Sequence, residues 1–394
     1  MAIVKQTLGI QATSMKPSVL NFSRSTSATR VNNIGHIELV AANLIRQDFD
    51  SDAVGSILGW LLEESSSNTC LQSEDFSTTW LTTTSTQTNL ATITTNTTKS
   101  PDGTTNADTL SAGSTATGIV AARQQGLTFT NGTYYTVSVF AKRKDLNFLE
   151  ISNNDDTTTG MTFSQVFNLS TGATGASGGT VYASSIRTFP NSWYRCEVTF
   201  LATASSNGEV YIKTRSDNAV STTYSATNTQ GIYIWGAQVE AKKYATSYIP
   251  TTTVSVARAA DVAFIDNTEG KWNWNVGMSI LVDATPINTN ETVTPIYHYQ
   301  DADNSDYVTH FSDGKIAVVS SGTSQLSANP FDTGFSTTKL TNFRSMMAIR
   351  ENRLHQSQNG SLSPNLPDTT IAVPLNSSSS SYTIKFFHGT GLTS

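Results

Sequence analysis

The chain has 394 residues, enough for two or three domains at about 100–200 residues each. Its 24 Lys plus Arg against 30 Asp plus Glu give a formal net charge of −6, which excludes a broad nucleic-acid footprint. Charged residues are only 14% of the chain, against about a quarter in ordinary soluble proteins, and Thr, Ser and Asn take their place.

Residues 1–21 are thinly patterned and read as an ordered arm or a frayed terminus. The first twenty, MAIVKQTLGIQATSMKPSVL, carry no basic stretch followed by an apolar core, and no apolar run in the chain nears the ~18 residues of a membrane span. Neither a signal peptide nor membrane insertion is therefore expected. Residues 22–66 are broken by Asn32-Asn33, Gly35, Asp48, Asp50, Asp52, Gly55 and Gly59, with short strands such as His36–Ala41 and Ile57–Leu62 between them. Such a segment cannot form its own core and is expected to wrap against a neighbour.

From residue 67 strand candidates recur with turn signals between them, the mark of an all-β sandwich. Tyr135, Val137 and Val139 alternate with Tyr134, Thr136, Ser138 and Phe140 just after the turn pair Asn131-Gly132. Phe163–Leu169, Tyr194–Phe200 and Glu209–Thr214 follow. The Gly-rich stretch Gly172–Gly179 has no Lys-Ser/Thr after it, so it reads as a hairpin end and not a phosphate loop. Gly231–Glu240 is apolar on both sets of alternating positions, with Ile232, Ile234 and Gly236 on one side and Tyr233, Trp235 and Ala237 on the other. It reads as a strand covered on both faces. Tyr244–Pro250 then loses all period, and a seam between domains is expected near 250–262. Beyond it, Tyr307–Phe311, Asp313-Gly314 and Ile316–Val318 give a clear hairpin signal, and Phe343–Arg350 with Arg353–Gln358 give another. The last strand candidate is Tyr382–Phe387. The predicted organisation is an N-terminal arm and attachment segment (1–66) and two tandem β-sandwiches (67–258 and 259–394).

Little in the chain points to catalysis. Cys70 and Cys196 make no metal pattern; they read as two buried thiols, with a single bridge as the other option. The five histidines lack metal-ligand spacing and no G-x-S-x-G elbow occurs. Glu63-Glu64 would point to opposite faces of a strand. Asp301, Asp303 and Asp306 share one loop, which could serve Ca²⁺ or be an Asx-rich turn. Without that ion no cofactor is expected. Aromatics are the better binding candidates, because sugars stack their apolar faces on flat rings. Trp272 and Trp274 share one face at period two, and so do Tyr297 and Tyr299; both pairs could equally be core.

Four stretches carry a resemblance: Phe22–Asp50, Ser73–Trp80 (SEDFSTTW), Asn191–Phe200 (NSWYRCEVTF) and Gly231–Asp261 (GIYIWGAQVE…TSYIPT…ARAAD). In this order they resemble a bacteriophage virion-protein family of tail fibres and related appendages. Its modules are carbohydrate-binding-module-like jelly rolls and concanavalin A-like domains. The resemblance implies jelly-roll sandwiches and a non-enzymatic structural protein of the virion. It implies a tail fibre, a homotrimer in contact with other tail or capsid proteins and with host surface polysaccharide. A capsid decoration, a head fibre or a structural tail adaptor with no receptor role is the alternative. A glycan site is expected in residues 259–394, at Trp272, Trp274, Tyr297 and Tyr299, with Asp301, Asp303 and Asp306 as polar or Ca²⁺-bearing neighbours.

Overall fold

The computed structural model describes residues 20–82, 89–153, 162–220 and 223–266. Beyond them it describes the strands at 278–284, 295–300, 307–311, 316–320, 323–324, 343–350, 353–358, 361–362 and 383–386. Regular structure among the described residues is antiparallel β throughout, apart from one short 3-10 turn at Pro190–Ser192. The chain divides into two compact units. One holds Ser25–Leu61 and Ser65–Ala259; the other holds Met1–Arg24, Leu62–Glu64 and Ala260–Ser394.

The first unit is built on two sheets. One has six strands in the order 183–189, 193–201, 134–143, 231–240, 107–112, 91–98; the other has five, in the order 121–129, 206–215, 148–152, 163–168, 173–179. The alternation that marks these strands places their apolar side chains between the sheets. Val137, Val139, Val198, Phe200, Ile232 and Ile234 meet Leu149, Ile151, Phe163, Phe167, Val210 and Ile212 in one core. Phe163 and Phe200 stack across it with centroids 4.1 Å apart and planes 11° from parallel. Each such side chain stabilises the fold by about 1.5–3 kcal/mol on burial. Cys70 and Cys196 lie in this core as free thiols, and burial pushes both well above the ordinary thiol pKa.

The strand Gly231–Glu240 is buried on both faces, as its composition predicts. One face joins the inter-sheet core; the other, through Trp235, joins a second core with Phe140, Phe189, Trp193 and Tyr248. Simple alternation fails at its middle. Phe140 pairs with Trp235 but Ser138 with Gln238, so Gly236 and Ala237 both stand opposite Val139. This is a β-bulge, and Gly236 takes φ +64 to form it. The extra residue returns Ala237 and Val239 to the face of Ile232 and Ile234, contrary to the expectation that Ala237 sides with Trp235.

The aperiodic stretch that follows is buried at Thr246, Tyr248 and Ile249, but side chains hold it in place of a ladder. Asn68 saturates all of its amide: Nδ2 donates to Ala237 O (3.1 Å) and Ile249 O (2.9 Å), and Oδ1 accepts from Cys70 N (3.0 Å) and Val239 N (3.0 Å). Ile249 N donates to Gln238 Oε1 (2.7 Å), and Glu240 accepts from Ser66 Oγ (2.6 Å) and Thr246 N (3.0 Å). Thr251 N donates to Ser73 Oγ at 2.8 Å. The expected hairpin end at Gly172–Gly179 is instead a strand over Ala173–Gly179, paired with Phe163–Asn168. Its residues lack the side chains that signal a strand; the ladder of the neighbouring strand orders them.

In the second unit, Asn21–Ser23 pairs with Val262–Asp266 at the edge of a seven-stranded sheet; a four-stranded sheet carries 278–284, 343–350, 353–358 and 361–362. Both predicted hairpins form, Tyr307–Phe311 with Ile316–Ser320 and Phe343–Arg350 with Arg353–Gln358. Thr383–Phe386 pairs with Val262–Asp266 on one side and Pro295–Gln300 on the other. The last predicted strand is thus interior to the seven-stranded sheet. Arg24 and Asp261 form a fully buried ion pair at 2.9 Å, and the second Asp261 oxygen accepts Glu63 N at 2.8 Å.

Candidate functional site

Residues 25–61 form a layer over the outer face of the six-stranded sheet. It consists of two hairpins, Ala28–Val31 with Ile37–Val40 and Arg46–Phe49 with Ile57–Leu61. The first turn is built by Asn32, whose Oδ1 accepts the N–H groups of Ile34 (3.1 Å) and His36 (3.0 Å). Gly35 closes it at φ +79 and sits so near Pro190 that an added Cβ would lie 2.4 Å from Pro190 Cγ. The second turn closes with Asp50 N donating to Ser56 O at 2.8 Å.

The underside of this layer is fastened firmly. Val31 and Ile37 enter the core of Phe140, Phe189, Trp193 and Trp235. Arg46, fully buried, donates from Nη1 to Thr29 O and to Ser247 Oγ, both at 2.8 Å. Val31 N donates to Asp48 Oδ1 (2.8 Å), Thr29 Oγ1 to Tyr248 O (2.5 Å), and Ser51 Oγ to Thr188 O (2.5 Å). Buried polar bonds of this kind cost about 1–3 kcal/mol each when one partner is removed, so the layer cannot slide or turn over freely.

Its outer side is different. Ile34, Leu39, Leu44, Val54, Ile57 and Leu58 are between 42% and 59% exposed. They are six of the eleven large apolar side chains that stand exposed among the described residues. Single exposed aliphatics are ordinary; here six fall between residues 34 and 58, on one firmly held layer.

The polar clusters of the first unit are structural. Glu150 Oε1 accepts from Ser164 Oγ (2.9 Å) and Lys213 Nζ (3.1 Å) while Oε2 lies 3.5 Å from Arg215 Nε, all of these residues being buried. Ser73 Oγ, Tyr248 OH and Glu74 Oε1 form a chain at 2.7 and 3.1 Å. Burial pushes the Glu74 carboxyl upward, a hydrogen bond from Tyr248 opposes the shift, and the charge of Asp102 adds to it. Ser73 is fully buried and also bonded to Thr251, so it is no exposed nucleophile. No group of three His, Cys, Asp or Glu among the described residues could hold a metal ion.

Of the expected binding residues, Trp272, Trp274, Asp301, Asp303 and Asp306 lie outside the described residues. Tyr297 and Tyr299 fall on the strand Pro295–Gln300, at register positions opposite His310 and Val308 on one side and Phe386 and Ile384 on the other. The residues that carry the resemblance have structural posts. Phe76 and Trp80 pack at 4.8 Å in the inter-sheet core. Trp193 Nε1 donates to Lys99 O at 3.0 Å, and Arg195 donates to Thr246 O (2.7 Å) and Ser138 Oγ (3.0 Å). These motifs therefore speak to the fold. The exposed surface of residues 34–58 escapes them, since an apolar residue in a short strand does not announce which way it faces.

No family model matches the chain, and a search of the curated proteins finds no match.

Proposed function

We propose that this chain is a non-enzymatic structural protein of a bacteriophage virion, a tail fibre that contacts host surface glycans and assembles as a homotrimer. The observation that carries the reading is the aliphatic surface of residues 34–58, locked from beneath and left in water above. Such a surface suits burial against a second copy or another virion protein. The neutral, hydroxyl-rich composition and the ordered resemblance of residues 22–261 to virion appendages support the same reading. In it, the five- and six-stranded sheets are a carbohydrate-binding-module-like jelly roll and residues 259–394 a concanavalin A-like sandwich. Trp272, Trp274, Tyr297 and Tyr299 stack sugar rings there, and Asp301, Asp303 and Asp306 accept sugar hydroxyls or hold Ca²⁺.

Gold-labelled antibody against the chain, viewed on whole virions, tests the function. Label on the tail fibres is the expected result. Label on the capsid replaces the fibre with a capsid decoration or head fibre, and virions without label overturn the reading. Release of reducing ends from host polysaccharide by the purified chain would overturn the non-enzymatic part.

A further inference from the structure

The outer face of the six-stranded sheet changes character along its strands. At one end lie Phe140, Phe189, Trp193 and Trp235 under the layer of residues 25–61. Next comes a polar band, with Arg195 bonded to Ser138 at 3.0 Å and Thr136 Oγ1 to Thr199 Oγ1 at 2.7 Å. At the far end an aromatic pair emerges. Tyr134 and Tyr182 lie with ring centroids 4.5 Å apart and planes tilted by 57°. Tyr182, 44% exposed, is the only aromatic among the large side chains that stand exposed in the described residues. Lys243 Nζ lies 5.0 Å from the centre of the Tyr134 ring.

All three side chains spring from backbone tied to the same sheet. Tyr134 opens the strand Tyr134–Arg143 and pairs with Leu201; Tyr182 N donates to Thr199 O at 2.8 Å. The turn before Tyr134 is closed by Gly132, at φ +78, whose N–H donates to Ala202 O at 2.8 Å. The carbonyls of Lys242 and Lys243 accept from Thr136 Oγ1 (2.9 Å) and Thr199 Oγ1 (3.3 Å). The group is therefore held in place before any ligand arrives, which lowers the entropic cost of binding. The exposed Tyr182 ring beside the half-buried Tyr134 ring offers an apolar face with hydroxyls at its edge. A neighbouring ammonium adds a partner for negative charge.

We propose that Tyr134, Tyr182 and Lys243 form a platform for an acidic saccharide. The C–H face of a hexopyranose stacks on the tyrosines and its carboxylate meets the Lys243 ammonium. The proposal rests on the glycan-contacting reading above but places a recognition site in the first unit. Its position suits the role. Lys142, eight residues beyond Tyr134 on the same strand, pairs with Trp193 beside the Pro190 turn that supports Gly35. At about 3.4 Å per residue the platform stands about 27 Å along the strand from the tips of the apolar layer. One end of the sheet is covered for attachment, and the other presents the rings.

The test is calorimetric titration of the full chain with β-1,4-tetraglucuronate and with cellotetraose, which differ only in the carboxylates. Tighter binding of the tetraglucuronate is expected. Tyr182→Ala should weaken it about tenfold at unchanged melting temperature, because the side chain is exposed; Tyr182→Phe should keep the affinity. Lys243→Gln should erase the preference for the acidic sugar and its salt dependence while leaving cellotetraose binding unchanged. Wild-type chain that binds neither sugar, or Tyr182→Ala that binds like wild type, overturns the platform. A Tyr182→Ala variant that alters only the oligomeric state shows a contact between copies and overturns it too. Labelling of host cells separates the two readings. Equal labelling by wild type and Tyr182→Ala sinks the platform alone. Sugar binding without any wild-type labelling of host cells sinks the host-glycan function alone.

Discussion

The sandwich and the layer that covers it draw on the same aliphatic residues and dispose of them in opposite ways. Between the two sheets Val, Ile, Leu and Phe are excluded from water almost completely. In residues 25–61 Ala28, Val31, Ile37, Leu61 and the partly buried Phe49 turn inward, and Ile34, Leu39, Leu44, Val54, Ile57 and Leu58 do not. Loose packing does not account for the difference, since Arg46, Asp48, Thr29 and Ser51 pin the underside of the layer with bonds of 2.5–2.8 Å. The proposed assembly would bury these exposed side chains of a firmly oriented segment against a partner. The comparison predicts that substitutions beneath the layer and in the sandwich cost stability, and substitutions on its outer side cost assembly.

The largest effect is expected at Asn68, which is completely buried and fully bonded. Asn68→Ala strands two carbonyls and two N–H groups at once, and urea denaturation should show a loss of about 4 kcal/mol. Gly236→Ala comes next. Its φ of +64 disfavours any L side chain, and a Cβ there would lie 2.9 Å from Phe140 Cδ2. A loss of about 2 kcal/mol is expected, and an unchanged midpoint would mean that the bulge is not needed.

The Asn68 and Gly236 predictions mark the limits of what the chain announces. Alternating strands such as Tyr134–Arg143, the turn at Asn131-Gly132 and the hairpin Tyr307–Phe311 with Ile316–Ser320 are legible because side-chain period and turn chemistry are local properties. Gly236 signals an irregularity, but counting by twos cannot locate the extra residue, so Ala237 is assigned to the wrong face. Ala173–Gly179 has no strand pattern at all and is ordered by its neighbour. Asn68 and Ser73 act across long sequence separations, on backbone groups that no local pattern identifies. The aromatic pair Tyr134–Tyr182 escapes for the same reason. Its members come from different strands, and period-two pairs such as Trp272 and Trp274 draw attention first.

The smallest effect concerns pH. Burial, opposed by Tyr248 and reinforced by Asp102, holds the Glu74 carboxyl above its usual range. The folded chain therefore binds that proton more tightly than the unfolded chain. Its contribution to stability is complete below the ordinary carboxylate pKa and is lost as pH rises through the raised value. Denaturation midpoints compared between pH 7 and pH 5 should favour wild type over Glu74→Gln on acidification. A Glu74→Gln curve parallel to that of wild type would show that this group does not titrate as described.

Assembly is tested most directly by light scattering on the full chain, wild type beside Leu39→Lys plus Leu58→Lys. Both leucines are more than half exposed, at 59% and 57%, so the double variant should unfold within about 0.5 kcal/mol of wild type. The account predicts a trimer for wild type at micromolar concentration and a folded monomer for the variant. A wild-type chain that stays a monomer, or a variant that remains a trimer, would contradict it.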